Sequence, residues 1–195
     1  YATGNVSGVN SVGGLVGRLD NVTGSPTVTD SYSSGAVTGS SASSLYLGGL
    51  VGSWDDPSKV INSYYNLDAV VVTRNGVNVK SQVTLGGIYG TQYSAWQSQA
   101  TPRTALSAAS YFTAVNGKYQ LGTAQNLKDL LAFSSDSSLA FALNGSIDLA
   151  TLSGWHVPYL AASLAGNSHV LSNLSNNQSW NNYQGLFGYL NGNVD

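Results

Sequence analysis

The sequence has no cysteine and no methionine, and all nine of its acidic residues are aspartate. Without cysteine there is neither a disulfide staple nor a thiolate metal site, so stability has to come from packing and backbone pairing. Charge is scarce too. Asp, Lys and Arg make up 8% of the chain, against about 25% in an ordinary globular domain. The seven basic residues, Arg18, Lys59, Arg74, Lys80, Arg103, Lys118 and Lys128, are scattered, and the net charge is −2. That leaves no electrostatic footprint for nucleic acid or anionic lipid. No stretch approaches the roughly 20 apolar residues that a membrane-spanning helix needs, so no membrane insertion is expected. An initiator methionine is missing as well, and the first residue falls inside a repeated phrase. An excerpt from a longer chain is the expectation.

What the chain has in abundance is glycine, 23 residues, and internal repetition. Val12-Gly13-Gly14-Leu15-Val16-Gly17 returns as Leu47-Gly48-Gly49-Leu50-Val51-Gly52, and more loosely as "LGGIYG" at 85–90. "YATGNVSG" at the start returns as "YSSGAVTG" from Tyr32, and Asp30-Ser31-Tyr32 is echoed by Asn62-Ser63-Tyr64. Each phrase is short, β-branched or apolar, and bounded by Gly, Asn or Ser, the pattern of strands between tight turns. Helix is disfavoured there, because each interior glycine costs about 1 kcal/mol relative to alanine. One such unit cannot bury its apolar face alone, whereas stacked copies share a continuous core. The repeats therefore predict a mainly β fold of stacked coils, with the recurring Tyr and Val in interior rows.

The middle of the chain reads differently. Tyr93–Gln97 and Arg103–Ala109 have short helical character, with Pro102 suited to an early helix position. A stronger helix is predicted over Thr123–Phe133, where Thr123 caps and Ala124, Leu127, Leu130 and Leu131 share a face. Afterwards "FALNGSIDL" reads as strand, Asn144-Gly145 turn, strand, or equally as a corner between successive coils. The expected organisation is 1–92 repeat coils, 93–133 a partly helical insertion packed on them, and 134–195 resumed coils, all one continuous domain.

"VGGLVG" and "LGGLVG", with "YATGNVSG" and "SYSSGAVTG" as flanking phrases, resemble the GLUG motif of very large bacterial surface proteins. The later segment, from "KYQLGTAQNLKDLLAF" through "SIDL", "GWHVP" and "GNSHVLSNL" to "GLFGYL", resembles the spacer that precedes such repeats in filamentous-haemagglutinin-like exoproteins. The resemblance covers most of the chain and departs at "LGGIYG" and at "AGNSH". It implies a right-handed parallel β-helix, or β-solenoid, with short helical decorations. It further implies two-partner secretion from a Gram-negative cell and a role in cell-surface adhesion or biofilm matrix. The implied partners are neighbouring repeats of the same chain, with host-cell or matrix glycans and proteins or self-association beyond them.

Candidates for chemistry are few. His156 and His169 are isolated, with no partner at metal-ligand spacing. Asp55-Asp56 is the one adjacent carboxylate pair, without the Asp ladder a Ca²⁺ site requires. Asp129, Asp136 and Asp148 form no spacing that reads as a catalytic dyad. Neither enzyme activity nor a cofactor is expected; a polysaccharide-processing β-helix enzyme is the minority alternative. For a carbohydrate-binding module the candidate contacts are Trp54, Trp96, Trp155 and Trp180, each beside polar or turn residues, where an exposed indole stacks on a sugar face. Sealing loops against the stack is the competing role. Five Asn-x-Ser/Thr sequons, at Asn5, Asn21, Asn144, Asn173 and Asn177, are candidate glycosylation sites in a composition that also produces such triplets by chance.

Overall fold

Short β-strands dominate the computed structural model, which describes residues 1–21, 24–40, 46–79, 83–176 and 185–195. The protein is mainly β, with two α-helices among the described residues. It divides into two units, residues 1–105 and the described residues from 106 onward. The boundary falls inside the 93–133 span, so one helix belongs to each unit.

In the first unit the repeated phrases are the paired strands. Val6–Gly8 runs parallel to Val37–Gly39, which runs parallel to Val72–Arg74, with Val6, Val37 and Val72 in one row. Ser11–Gly13 lies on Tyr46–Gly48 and Val16–Leu19 on Val51–Trp54, so Val12 faces Leu47 and Val16 faces Val51. Val28–Thr29 pairs with Val60–Ile61, and Tyr32–Ser33 with Tyr64–Asn66. These partners stand 31 to 35 residues apart, the spacing of the sequence repeats themselves. Val37, Leu50, Val51 and Val72 are buried, each such side chain contributing about 1.5–3 kcal/mol. Strands this short hold their place only through the rows above and below.

The glycine pair explains how closely the rows approach. A Cβ on Gly14 would lie against the Gly49 carbonyl and the Ser33 side chain, and a Cβ on Gly49 would enter the ring of Tyr65. Only a residue without a side chain lets the chain turn there with a neighbouring row in contact.

Three expectations change over residues 1–110. The third copy, 85–90, does not extend the glycine-pair row; Gly87–Ile88 pairs instead with Tyr64–Asn66, placing Gly87 beside Tyr65, 22 residues earlier. Part of that interval is taken by Val77–Asn78, which folds back antiparallel on Val72–Arg74 through Asn75 and Gly76, both at positive φ. Too little chain remains for another full circuit. The recurring tyrosines, moreover, are interior only in part: Tyr1 is exposed, Tyr32 half-buried and Tyr64 buried. Side chains alternate along a strand, and the inward positions go to Ser33 and Tyr65. Tyr32 and Tyr64 consequently face the other way, toward the first helix, α1 (Gly90–Gln97), where Trp96 meets Tyr64 edge-on at 5.1 Å. The helix expected over Arg103–Ala109 is a single 3-10 turn at Ala108–Ser110, with Pro102 in the preceding loop. There Thr104 turns its amide and hydroxyl to the Gln99 side chain rather than into a helical ladder.

The second unit is built on Lys118–Leu121, Ala140–Leu143 and Ser163–Ala165, parallel and in that order, with Ala114–Val115 antiparallel on the outer edge. Its helix α2 (Ala124–Leu130) starts where predicted, with Thr123 and Asn126 capping each other reciprocally. Leu127, Leu130 and Leu131 are buried. Of the two readings of Asn144-Gly145, the corner is the one found. Ala140–Leu143 and Ile147–Asp148 do not pair with each other; they pair with Ser163–Ala165 and Leu171–Ser172. Val157–Leu160 carries Phe187–Leu190 as its parallel neighbour.

Candidate functional site

The first unit offers two surfaces worth weighing, an aromatic flank and a charged corner. On the flank, the Tyr1 and Tyr32 rings stack with centroids 4.9 Å apart and their planes nearly parallel. Tyr93 and Trp96 of α1 meet Tyr32 edge-on, and the Arg103 guanidinium lies over both Tyr32 and Trp96, at 5.4 and 5.0 Å. Such a cation over an aromatic face is worth about 0.5–2 kcal/mol. Asn62 is the polar hub beneath. Its Oδ1 accepts from Trp96 Nε1 at 2.8 Å, while its Nδ2 donates to Asp30 Oδ1 and to the Arg103 carbonyl. Asp30 and Asn62 both sit at positive φ at matching corners of successive rows, a conformation Asp and Asn tolerate better than most residues. Burial pushes the Tyr93 phenol up to about 12, and Tyr65, buried against Thr84, likewise to about 12. These phenols stay neutral and structural at ordinary pH.

At the charged corner, Arg18 bonds Asp20 and reaches Asp55 at 3.5 Å, and Lys59 stands 3.8 Å from Asp56. Asp55 also accepts from the Asn21 amide, and Asp56 caps the 3-10 turn Pro57–Lys59. The Ser58 hydroxyl and amide hold the Asp56 carboxyl below its usual range. Hydrogen bonding to Asp20 holds the proton of Arg18 more firmly still. Each charge at this corner is engaged by its neighbours, and the geometry presents no poised acid–base pair. Among the described residues, no group of three or more His, Cys, Asp or Glu side chains converges as a metal site.

The sequence candidates separate cleanly. Trp96 and Trp155 are buried, so neither presents a face to a glycan, and sealing is their role. Trp54 is half-buried at the end of Val51–Trp54. Trp180 and Asn177 lie outside the described residues. Asn5, Asn21, Asn144 and Asn173 are exposed. Asn5 accepts from the Ala36 amide, and Asn173 donates its amide nitrogen to Asp148, so both already serve as rungs between rows. Asn173 holds the Asp148 carboxyl below its usual range. His169 is exposed in a turn closed by its amide on the Gly166 carbonyl. His156 is buried, and burial pushes its imidazole below the ordinary value. Asp129 lies buried on α2; burial raises its carboxyl, against the Gln125 amide that bonds it. Asp136 caps a turn at Ser138.

Sequence reasoning missed the hub at Asn62 and the placement of Arg103. The echo of Asp30-Ser31-Tyr32 in Asn62-Ser63-Tyr64 was the available signal for the corner. Nothing local announced that α1 would close over it. Comparison with family models, with curated proteins and with solved structures returned no match.

Proposed function

We propose that the chain is an adhesive or structural segment of a large secreted bacterial exoprotein, its rows wound as a right-handed parallel β-solenoid of the GLUG-bearing, filamentous-haemagglutinin-like kind. It is exported by two-partner secretion to the surface of a Gram-negative cell and serves adhesion or the biofilm matrix. The supporting observation is register: the two full copies of each repeated phrase lie on one another, Val6 on Val37, Val16 on Val51 and Gly13 on Gly48. Right-handed crossovers are the rule for parallel strands in one sheet, which supplies the hand. Function here rests on reach and on repeated polar surface, such as the row Ser7, Thr38 and Thr73.

Two experiments test the reading. A Val12→Cys, Leu47→Cys pair oxidises to one intramolecular disulfide without loss of fold, since parallel neighbours meet disulfide geometry; a pair that stays reduced defeats the winding. In the intact exoprotein on cells, Gly14→Val with Gly49→Val abolishes adhesion or biofilm while export and surface amount persist. Adhesion unchanged by that pair removes this segment from the function. The carbohydrate-binding alternative retains Trp54 alone among the described tryptophans; a glycan array on Trp54→Ala decides it.

A further inference from the structure

We infer that the aromatic flank of the first unit binds carbohydrate through a carboxylate, Arg103 receiving the acid group of a uronic acid residue beside the phenols of Tyr32 and Tyr93. The site stands on the first unit alone. Only the choice of a carbohydrate as bearer of the acid rests on the matrix role proposed above.

Arg103 is held in place by its own loop. Thr104 gives its amide and hydroxyl to Gln99 Oε1 at 2.8 and 3.0 Å, and Asn62 Nδ2 donates to the Arg103 carbonyl at 3.0 Å. The guanidinium lies over Tyr32 and Trp96, and its Nε donates to the Gln97 carbonyl at 3.2 Å. Among the described residues no hydrogen bond or ion pair reaches its terminal amino groups, whereas Arg18 and Lys59 are both paired with aspartate. The residue is partly exposed. A guanidinium edge fixed in orientation suits the two oxygens of a carboxylate, which it bonds in parallel.

A second group calls for the same oxygen. Tyr93 is 5% exposed, and its hydroxyl has no hydrogen-bond partner among the described residues. Native proteins rarely leave a buried polar group in that condition. The Tyr32 phenol and the Arg103 charge are both near enough to act on it. A ligand oxygen seated on Arg103 supplies the acceptor that this hydroxyl lacks.

The surroundings favour an acid carried on a sugar over a dense polyanion. Asp30, exposed and tied to Asn62 Nδ2, stands at the same corner. Its charge repels a second anionic group and accepts from a hydroxyl, so it selects against one ligand class while serving another. A single guanidinium balances a single negative charge, and the scattered basic residues add no patch around it. A uronic acid brings one carboxylate with hydroxyls on either side, whereas a sulfated chain or a phosphate brings more charge than the site can match.

Isothermal titration of the 195-residue chain with trigalacturonate tests this. Wild type binds it and does not bind the methyl-esterified trisaccharide, which keeps the sugar and loses the charge. Arg103→Gln abolishes binding. Arg103→Lys keeps the charge without the fork, and it weakens binding about tenfold or more. Tyr93→Phe keeps the ring and loses only the hydroxyl; affinity falls about tenfold while the melting temperature holds, a split that a purely structural tyrosine does not produce. Circular dichroism verifies each fold, and where Arg103→Gln misfolds the other two variants decide. The inference is overturned if wild type fails to bind, if the methyl ester binds equally well, or if Arg103→Gln binds like wild type. Acetate, sulfate or phosphate binding as tightly as trigalacturonate overturns it too, because the site is then an anion site without a sugar. An intact Val12–Leu47 disulfide beside a chain that binds no uronate leaves the proposed winding standing and removes only this site; uronate binding beside a pair that stays reduced does the reverse.

Discussion

Gly49 and Gly4 are chemically identical and placed under opposite constraints. Beside Gly49 stands the Tyr65 ring where a Cβ would go, whereas nothing lies within 4 Å of such an atom at Gly4. Gly49→Ala therefore destabilises the first unit by about 1–3 kcal/mol through overpacking, while Gly4→Ala stays within about 0.5 kcal/mol; urea unfolding midpoints of the two variants give the comparison. His156 sets a second constraint, through pH. The unfolded imidazole titrates near its usual value of about 6.5, and burial holds the folded one lower. Between those values the unfolded chain binds more protons, so stability is fully present above about pH 6.5 and falls as pH drops through the folded value. Asp129 acts with the opposite sign: its raised folded value contributes stability below the ordinary carboxylate range that is lost as pH rises through it. Thermal melts from pH 7 to pH 5 show the His156 slope, and in His156→Gln that slope disappears.

At the level of elements, α1 and the strand rows are tied through one side chain. Asn62 spends its acceptor on Trp96 and its donor group on Asp30 and Arg103. Asn62→Asp replaces that donor with a second carboxylate oxygen facing Asp30, at a cost of about 1–3 kcal/mol. The measurable outcome is a lower melting temperature with earlier hydrogen exchange in α1 than in the valine rows. The strand rows were legible in the sequence because aligned phrases became aligned strands: Tyr1 on Tyr32, Val6 on Val37, Val12 on Leu47. α2 was legible too, since Thr123 caps it locally. Less was visible where tertiary context decided. "LGGIYG" matches the motif, yet the length of chain before it, not its composition, assigned it to the Tyr65 row. The tyrosine rows were legible only in part, because a regular Tyr repeat is silent about which strand face meets the valine and glycine rows and which meets α1; Ser33 and Tyr65 took the first, Tyr32 and Tyr64 the second. Of the candidate site, the tryptophans looked alike beside polar neighbours, and only the docking of α1 and the packing of the second unit distinguished buried Trp96 and Trp155 from half-buried Trp54.

At the scale of the whole molecule, several of the polar contacts between rows among the described residues are carried by neutral groups. Asn5 on Ala36, Ser40 on Gly8, Asn167 on Leu143 and Ser146 on Val170 join successive rows without a charge. Stacked like charges would repel along each row, whereas amides and hydroxyls bond to their counterparts. The ion pairs found among the described residues, by contrast, all gather at the corner of Arg18, Asp20, Asp55, Asp56 and Lys59, and surface pairs of this kind are worth about 0–1 kcal/mol. Dissolved ions screen charges and leave amide and hydroxyl bonds between rows largely untouched. Melting temperatures measured from low to molar sodium chloride should accordingly stay nearly level, with a decline of many degrees counting against this account. A surface so indifferent to ionic strength keeps one shape from fresh water to brine, and the surroundings meet a molecule whose form its medium does not set.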